Sequence, residues 1–197
     1  LILPYKNGYL STVCCDIAKY IYTYSPEPDN TMHKYGVGSD RVKRKIKKIN
    51  KTVEKLCKKL KNSVVVVTAD HGLVDSKRDF IEEHSSIWKM LKRPASIEPR
   101  ALSFFVKDEY KKVFKEEFEK EFPGKFLVLT KQEVYDRHLF GYGAAHPRVD
   151  AFLGDFLAVA VSDLLLFNYR ENDRFVAGHA GFDTREMTVP FIAIETS

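Results

Sequence analysis

The most distinctive hydrophobic pattern in this chain is a run of four valines at residues 64–67 that ends in a polar loop. The run is too short for an ordinary helix, and it lacks the alternation of apolar and polar positions that a half-exposed strand shows. We therefore predict a strand buried on both faces, as in parallel sheets that lie between layers of helices. Asp70, His71 and Gly72 follow the strand, at the position where open α/β sheets bind ligands. Asp70 and His71 are accordingly candidate metal ligands.

A second pattern covers residues 40–61, where apolar side chains recur every three or four positions. This periodicity predicts a helix with one apolar face. A strand is expected before it at residues 20–24, ended by two prolines that cannot donate hydrogen bonds to a sheet. With the strand at residues 64–69, these elements predict a βαβ unit whose two strands are parallel. Asp29 and Asp70 should then lie at the same end of the sheet.

Further patterns predict elements on either side of this unit. A short helix is expected at residues 10–19, and strands are expected at residues 101–106 and 126–129 around a helix with phenylalanines at four-residue steps. These strands and the helix between them lie between two groups of candidate ligands in the sequence. We therefore predict that about residues 85–145 form a small α+β insertion, a cap subdomain. The predicted fold class is α/β, with a mostly parallel central sheet flanked by helices in a single domain over residues 1–197.

The composition narrows the classes of protein to which the chain can belong. Its 197 residues are 44% hydrophobic and 30% charged, which suits a globular domain with a sizeable core. No apolar run approaches the roughly 18 residues of a membrane helix, and no segment resembles a signal peptide. The three cysteines, of which Cys14 and Cys15 are adjacent, make a poor disulfide framework and include no CxxC pair for a structural zinc site. We therefore expect reduced thiols, a cytoplasmic location and no membrane partner.

The net charge of +5 is concentrated in one segment. Between Arg41 and Lys61, eleven basic residues stand against one acid, Glu54. Such a surface could bind nucleic acid, and a non-catalytic nucleic-acid-binding module that uses this helix is the alternative from a different functional class. The exposed face of an outer helix explains the same charge more simply, so nucleic acid is the less favoured partner.

Carboxylate and imidazole side chains occur together at three places in the chain. Asp29 and His33 are four residues apart, so a helical turn puts them on the same face. Asp70 and His71 end the valine strand, and His179 lies in a glycine-flanked loop. Each residue alone has an ordinary structural explanation, such as a helix-capping acid or a packed ring. Jointly they predict a metal site, because three such groups form a catalytic zinc shell with one open position.

Three segments, in this order, resemble the alkaline phosphatase superfamily and, within it, the type I phosphodiesterase/nucleotide pyrophosphatase family. They are PDNTMHKYG at residues 28–36, TADHG at residues 68–72 and GHAG at residues 178–181. Two more, SIEPR at residues 96–100 and EMTVP at residues 186–190, resemble bacterial members. The resemblance covers nearly the whole chain and implies an alkaline-phosphatase-like fold.

The resemblance also implies a chemistry for the candidate ligands. Asp29, His33 and His179 would hold one divalent metal ion, and Asp70 with His71 would hold a second. Zinc fits these oxygen and nitrogen ligands, and manganese is compatible with them. The implied activity is two-metal hydrolysis of phosphodiester or nucleotide pyrophosphate bonds through a phospho-enzyme, with a phosphodiester or nucleotide as the small-molecule substrate.

Two parts of the family's site have no counterpart in this sequence. The family has a further metal-binding Asp and a Thr or Ser nucleophile earlier in its chains, and Ser11 and Thr12 lack the surroundings of that nucleophile. Because the chain also starts at Leu1 without a methionine, we predict the C-terminal portion of a longer enzyme, inactive alone, with its nucleophile outside this chain. A smaller departure is Ala180, where the family usually has glycine.

Other activities of the superfamily would use the same two metal ions. Phosphomonoester hydrolysis, sulfate ester hydrolysis and a phosphomutase reaction are therefore alternatives to phosphodiester hydrolysis.

Overall fold

The computed structural model describes residues 18–170 and 175–197, so most of the short helix predicted at residues 10–19 lies outside the described residues. In these ranges none of the helices combines the length and the apolar character that crossing a membrane requires. The helices are α1 (Asp29–Tyr35), α2 (Asp40–Cys57), α3 (Ser85–Trp88), α4 (Phe114–Glu121), α5 (Lys131–Asp136) and α6 (Thr184–Met187). The strands are β1 (Ser63–Thr68), β2 (Val74–Asp75), β3 (Lys77–Phe80), β4 (Ser96–Glu98), β5 (Ala101–Phe104), β6 (Phe126–Thr130), β7 (Phe156–Ala160), β8 (Leu164–Phe167), β9 (Ala177–Gly178) and β10 (Phe191–Thr196).

The strand predicted at residues 64–69 is present as β1, but it is not buried on both faces. β1 pairs antiparallel with β10, so that Val65 lies opposite Ile194. Burial alternates along β1, and Val64 and Val66 are 67% and 51% exposed. Among the described strands, β10 is the one hydrogen-bonded neighbour of β1. The expectation of a doubly buried strand is therefore wrong, because alternate valines of this two-stranded sheet face outward.

The sheet topology also differs from the expected βαβ unit. Residues 20–24 form an exposed segment outside any strand, so α2 does not connect two parallel strands. The described strands form three pairs, β1–β10, β2–β9 and β3–β8, and a four-stranded sheet in the order β4–β5–β7–β6. Among them, β3–β8 is the one parallel pair. The chain mixes helices and strands as expected, but a mostly parallel central sheet is not confirmed.

The basic segment forms α2, close to the helix predicted at residues 40–61. The side chain of Ser39 caps this helix by accepting a hydrogen bond from the N–H of Val42, which is fully buried. Lysines on the outer side pair with acids, as Lys58 does with Glu54 at 2.8 Å. α2 is thus an amphipathic outer helix, and nucleic-acid binding by its basic face stays a hypothesis.

The largest hydrophobic core lies between the four-stranded sheet and α4. Phe114 and Phe118 are fully buried on one face of α4, as their four-residue spacing predicts. The ring centroid of Phe118 lies 4.8 Å from that of Phe122 and 5.2 Å from that of Phe104. β5 and β6 both pair with β7, so residues 85–145 share a sheet with a strand outside that range. The interpretation of these residues as an inserted cap stays a prediction.

A cluster of charged groups joins β3 to α4 through His84, the residue before α3. Nδ1 of His84 lies 2.6 Å from Oε1 of Glu121, and Nε2 lies 2.9 Å from Oδ1 of Asp79. Burial alone would lower the pKa of this imidazole, but the hydrogen bonds to the two carboxylates outweigh burial and raise the pKa above its ordinary value. An imidazolium that bridges two acids holds these elements together, so His84 has a structural role.

Candidate metal centre

Helix α1 presents Asp29 and His33 on one face, as their four-residue spacing predicts. Oδ1 of Asp29 lies 3.3 Å from Nε2 of His33. The other ring nitrogen, Nδ1, lies 2.8 Å from the carbonyl oxygen of Ala177, so in the neutral ring Nδ1 carries the proton and donates this hydrogen bond. Nε2 then keeps its lone pair on the side of Asp29. The contact between α1 and β9 therefore fixes the orientation of His33.

His179 follows β9 and joins these two residues in a group of three. One ligand atom from each of Asp29, His33 and His179 lies within 4.8 Å of the other two. Burial, followed by the nearby His71 and His33, lowers the pKa of His179. The neutral imidazole that results near pH 7 is the form that binds a metal ion.

One oxygen atom of the half-buried Asp29 side chain, Oδ1, tests whether these residues fit a cation. Its Oδ1 is inaccessible to solvent and has no hydrogen-bond partner among the described residues. Buried polar atoms are ordinarily hydrogen-bonded, and an unpaired charge in the interior is unfavourable. Oδ1 instead faces Nε2 of His33, so two atoms that carry lone pairs approach each other when the ring is neutral. A divalent cation would satisfy both atoms, and the donor set fits zinc.

Asp70 and His71 lie at the end of β1, as predicted. The ring of His71 stacks on that of His179 with centroids 3.7 Å apart, which brings the end of β1 against the group of three. Nε2 of His71 lies 3.7 Å from Oδ1 of Asp70, whose side chain is 62% exposed. Among the described residues, no third carboxylate, thiol or imidazole completes a group with this pair. Four of the five predicted residues therefore lie side by side, and Asp70 lies at the exposed edge.

Two charged residues beside these loops were not predicted as functional. Arg100 and Glu186 are 0% and 2% exposed and form an ion pair in which Nη2 lies 2.5 Å from Oε1. Glu186 also accepts a hydrogen bond from the N–H of Gly181, two residues after His179. The segments SIEPR and EMTVP contain these two residues, and that resemblance was the one sequence signal that could have pointed to them.

Comparison of the chain with known proteins identifies the family to which it belongs. The chain matches the family described as type I phosphodiesterase / nucleotide pyrophosphatase over residues 3–183. This family is a class of phosphodiesterase- and pyrophosphatase-type hydrolases. Within that class, the chain belongs to the type I phosphodiesterase/nucleotide pyrophosphatase family, and the resemblance predicted from the sequence is confirmed.

Solved structures with a similar fold include murine ectonucleotide pyrophosphatase/phosphodiesterase 5, at 19% identity and a TM-score of 0.64 over 85% of this chain and 44% of that chain. The human protein of the same name gives 18% identity, a TM-score of 0.64 and the same two coverages. Phosphonoacetate hydrolase from Sinorhizobium meliloti 1021 gives 17% identity and a TM-score of 0.58 over 86% of this chain and 44% of that chain. These likenesses show an alkaline-phosphatase-like fold alone, and this chain spans less than half the length of each of these structures. No curated protein matches the chain.

Proposed function

We propose that this chain forms the metal-binding part of a two-metal phosphodiesterase or nucleotide pyrophosphatase. Asp29, His33 and His179 would hold one divalent cation, and Asp70 with His71 would contribute to the second. The observation that carries the proposal is the buried oxygen of Asp29, which faces a ring nitrogen and has no hydrogen-bond partner among the described residues. Zinc suits this set of ligands and leaves one coordination position for substrate or water, and manganese is compatible.

The chain's own residues would prepare the cation positions in two ways. The hydrogen bond from Nδ1 of His33 to Ala177 holds the ring with Nε2 free to coordinate. Burial lowers the pKa of His179, which keeps its ring neutral and able to bind a cation near pH 7. The bound cations would polarise the phosphoryl group and lower the pKa of the attacking hydroxyl or water.

For the substrate we propose a small phosphodiester or nucleotide. An inactive variant of the murine relative has been solved in complex with AMP, and the Sinorhizobium meliloti relative has been solved with phosphonoformate. Both of those ligands carry phosphorus-bound oxygens, which pairs of divalent cations bind. Hydrolysis of phosphomonoesters or sulfate esters, and phosphomutase activity, would use the same cations, so a substrate panel on the longer enzyme separates these alternatives.

We further propose that the nucleophile lies outside this chain. The Thr or Ser segment of the family has no counterpart in the sequence, and the chain covers 44% of its solved relatives. The pure chain with zinc or manganese should therefore hydrolyse an aryl phosphodiester negligibly. Robust, metal-dependent turnover by that sample would contradict this part of the proposal.

We propose a cytoplasmic location on the basis of the cysteines. The chain has three of them, and Cys57, which lies in the described part, is a free thiol. Free thiols are typical of reducing compartments. Fractionation of the native host, with detection of this protein in the cytoplasmic or the exported fraction, would test the location.

Zinc-dependent thermal melting tests the metal centre. Zinc at about 100 times its Kd should stabilise the wild-type chain by about 2.7 kcal/mol. Asp29→Asn should lose most of this stabilisation, because it removes a charged ligand. Asp40→Asn is the matched control, since each Asp is the first residue of its helix and the same helix-dipole interaction is lost. Equal zinc responses of the wild type and Asp29→Asn would contradict the site.

A further inference from the structure

The side chain of Arg100 is buried, and each of its three nitrogen atoms donates at least one hydrogen bond. Nε donates to Oε2 of Glu186 at 2.9 Å, and Nη2 donates to Oε1 at 2.5 Å, which is the two-point geometry that arginine forms with carboxylates. Nη1 donates to the carbonyl oxygen of Leu164 at 3.1 Å, and Nη2 also reaches that of Ser162 at 2.8 Å. The guanidinium therefore holds the carboxylate of Glu186 in one orientation.

Glu186 contacts the loops of both candidate cation positions. Its Oε2 accepts a hydrogen bond from the N–H of Gly181 at 2.8 Å, in the loop that carries His179. Its main-chain carbonyl accepts a hydrogen bond from the N–H of Gly72 at 2.7 Å, next to His71. One residue thus connects the backbone beside His71 to the backbone beside His179.

The two glycines of the His179 loop lie directly against this ion pair. A Cβ at Gly181 would lie 2.6 Å from Oε1 of Glu186, and a Cβ at Gly178 would lie 3.2 Å from Cδ of Arg100. Both separations are shorter than ordinary van der Waals contact. Glycine at both positions therefore lets the backbone on either side of His179 lie close to the ion pair.

A contribution to stability does not by itself explain why an ion pair is buried here, because well-packed apolar residues in its place often stabilise a fold equally or more. An apolar replacement could not accept the hydrogen bond from Gly181, so the carboxylate has a specific effect on the loop. We propose that Glu186, held by Arg100, is a positioning residue that sets the place of His179 relative to His71. This inference rests on the proposed function insofar as both histidines are cation ligands.

The test compares wild type with Glu186→Gln, which keeps the size of the side chain but loses its charge and one acceptor oxygen. The NMR chemical shifts of the histidine ring protons, measured on the metal-free chain, report on the stacking of His71 and His179, because stacked rings shift each other's proton signals. We expect those two signals to move in the variant while the signal of His84 stays in place. Zinc affinity, measured by calorimetry, should fall about 10- to 100-fold, as it does when a residue that orients metal ligands is replaced.

Two further variants separate positioning from a general loss of stability. Leu129→Ala weakens the separate core cluster beside α5 and should melt at a lower temperature with unchanged zinc affinity. If Glu186→Gln fails to fold, the double variant Arg100→Leu/Glu186→Leu removes both charges together and should still show the shifted histidine signals. Unchanged histidine signals and zinc affinity in a folded Glu186 variant would overturn the positioning role and leave the proposed function intact. If the wild type binds no zinc, the proposed function fails, whereas the NMR comparison still decides whether Glu186 positions the two histidines.

Discussion

Replacing Gly72 with alanine would place a methyl group against the backbone that follows the His179 loop. The new Cβ would lie 2.3 Å from the carbonyl oxygen of Arg185 and 3.1 Å from Cα of Glu186. Both are backbone atoms, so no side-chain rotation relieves the overlap. The two segments would have to separate by about 1 Å to reach van der Waals contact, and the hydrogen bond from Gly72 to the Glu186 carbonyl would lengthen with them.

Gly154→Ala offers a matched control for this perturbation. Its Cβ would lie 2.3 Å from the carbonyl oxygen of Phe104, which is the same overlap with the end of β5, in the four-stranded sheet. Each variant should lose about 1–3 kcal/mol of stability, and each kcal/mol corresponds to about 2–4 °C in melting temperature for a chain of this size. Gly38→Ala meets no atom within 4 Å and should change stability by less than about 0.5 kcal/mol.

The assay combines thermal melting by circular dichroism with zinc titration by calorimetry. We expect both overlapping variants to melt earlier, but only Gly72→Ala to bind zinc more weakly, because only this overlap moves His71 away from His179. A Gly72→Ala chain that keeps the wild-type melting temperature would refute the close contact. If Gly154→Ala weakened zinc binding equally, the effect would come from general destabilisation and the reasoning about the site would be wrong.

Three further predictions concern single side chains. Folding raises the pKa of His84, so its two carboxylate contacts stabilise the protein fully below about pH 6.5 and progressively less as the pH rises through the pKa of the folded state. His84→Gln should therefore make the melting temperature depend less on pH in this range. Phe118→Ala should lose about 3–5 kcal/mol in urea denaturation, since its ring is fully buried, whereas Phe140→Ala, at 59% exposure, should change little. Ala180→Gly should raise the melting temperature by about 2–4 °C, because a φ of +83° is unfavourable for alanine by about 1 kcal/mol. An unchanged pH profile, equal losses for the two phenylalanine variants, or a lower melting temperature for the glycine variant would contradict the respective prediction.

Features that depend on neighbours along the chain could be predicted from the sequence. The four-residue spacing of Asp29 and His33 places both on one face of α1 wherever that helix lies, and the structure has their ligand atoms 3.3 Å apart. The apolar steps at residues 40–61 and the valines of β1 likewise identify a helix and a strand, because periodicity reflects local geometry. These predictions required no knowledge of the topology.

Strand pairing could not be predicted in the same way. The partner of β1 is β10, so Ser63 lies opposite Thr196, a residue far away in the sequence. We expected instead a βαβ unit in which β1 runs parallel to a strand at residues 20–24. Valine-rich composition favours a strand but does not select its partner or its direction. The wrong sheet topology and the wrong burial of β1 therefore have the same cause, which is that the sequence does not identify the partner of this strand.

The ion pair of Arg100 and Glu186 escaped sequence reasoning for a related physical reason. Charged side chains are usually exposed, and a single sequence does not show which of them become buried. These two residues are 86 positions apart, and they meet only when the start of β5 and α6 come together. The family resemblance assigned His71 and His179 to two metal ions, and the stacking of their rings was not predicted.

Glu186 connects its two neighbours through different kinds of atoms. Every amino acid supplies a main-chain carbonyl, so a substitution at this position keeps the acceptor for Gly72. The contacts that it changes are those of the side chain, with Gly181, Asp183 and Arg100. The identity of residue 186 therefore matters for the backbone beside His179, whereas the acceptor beside His71 is present whatever the side chain.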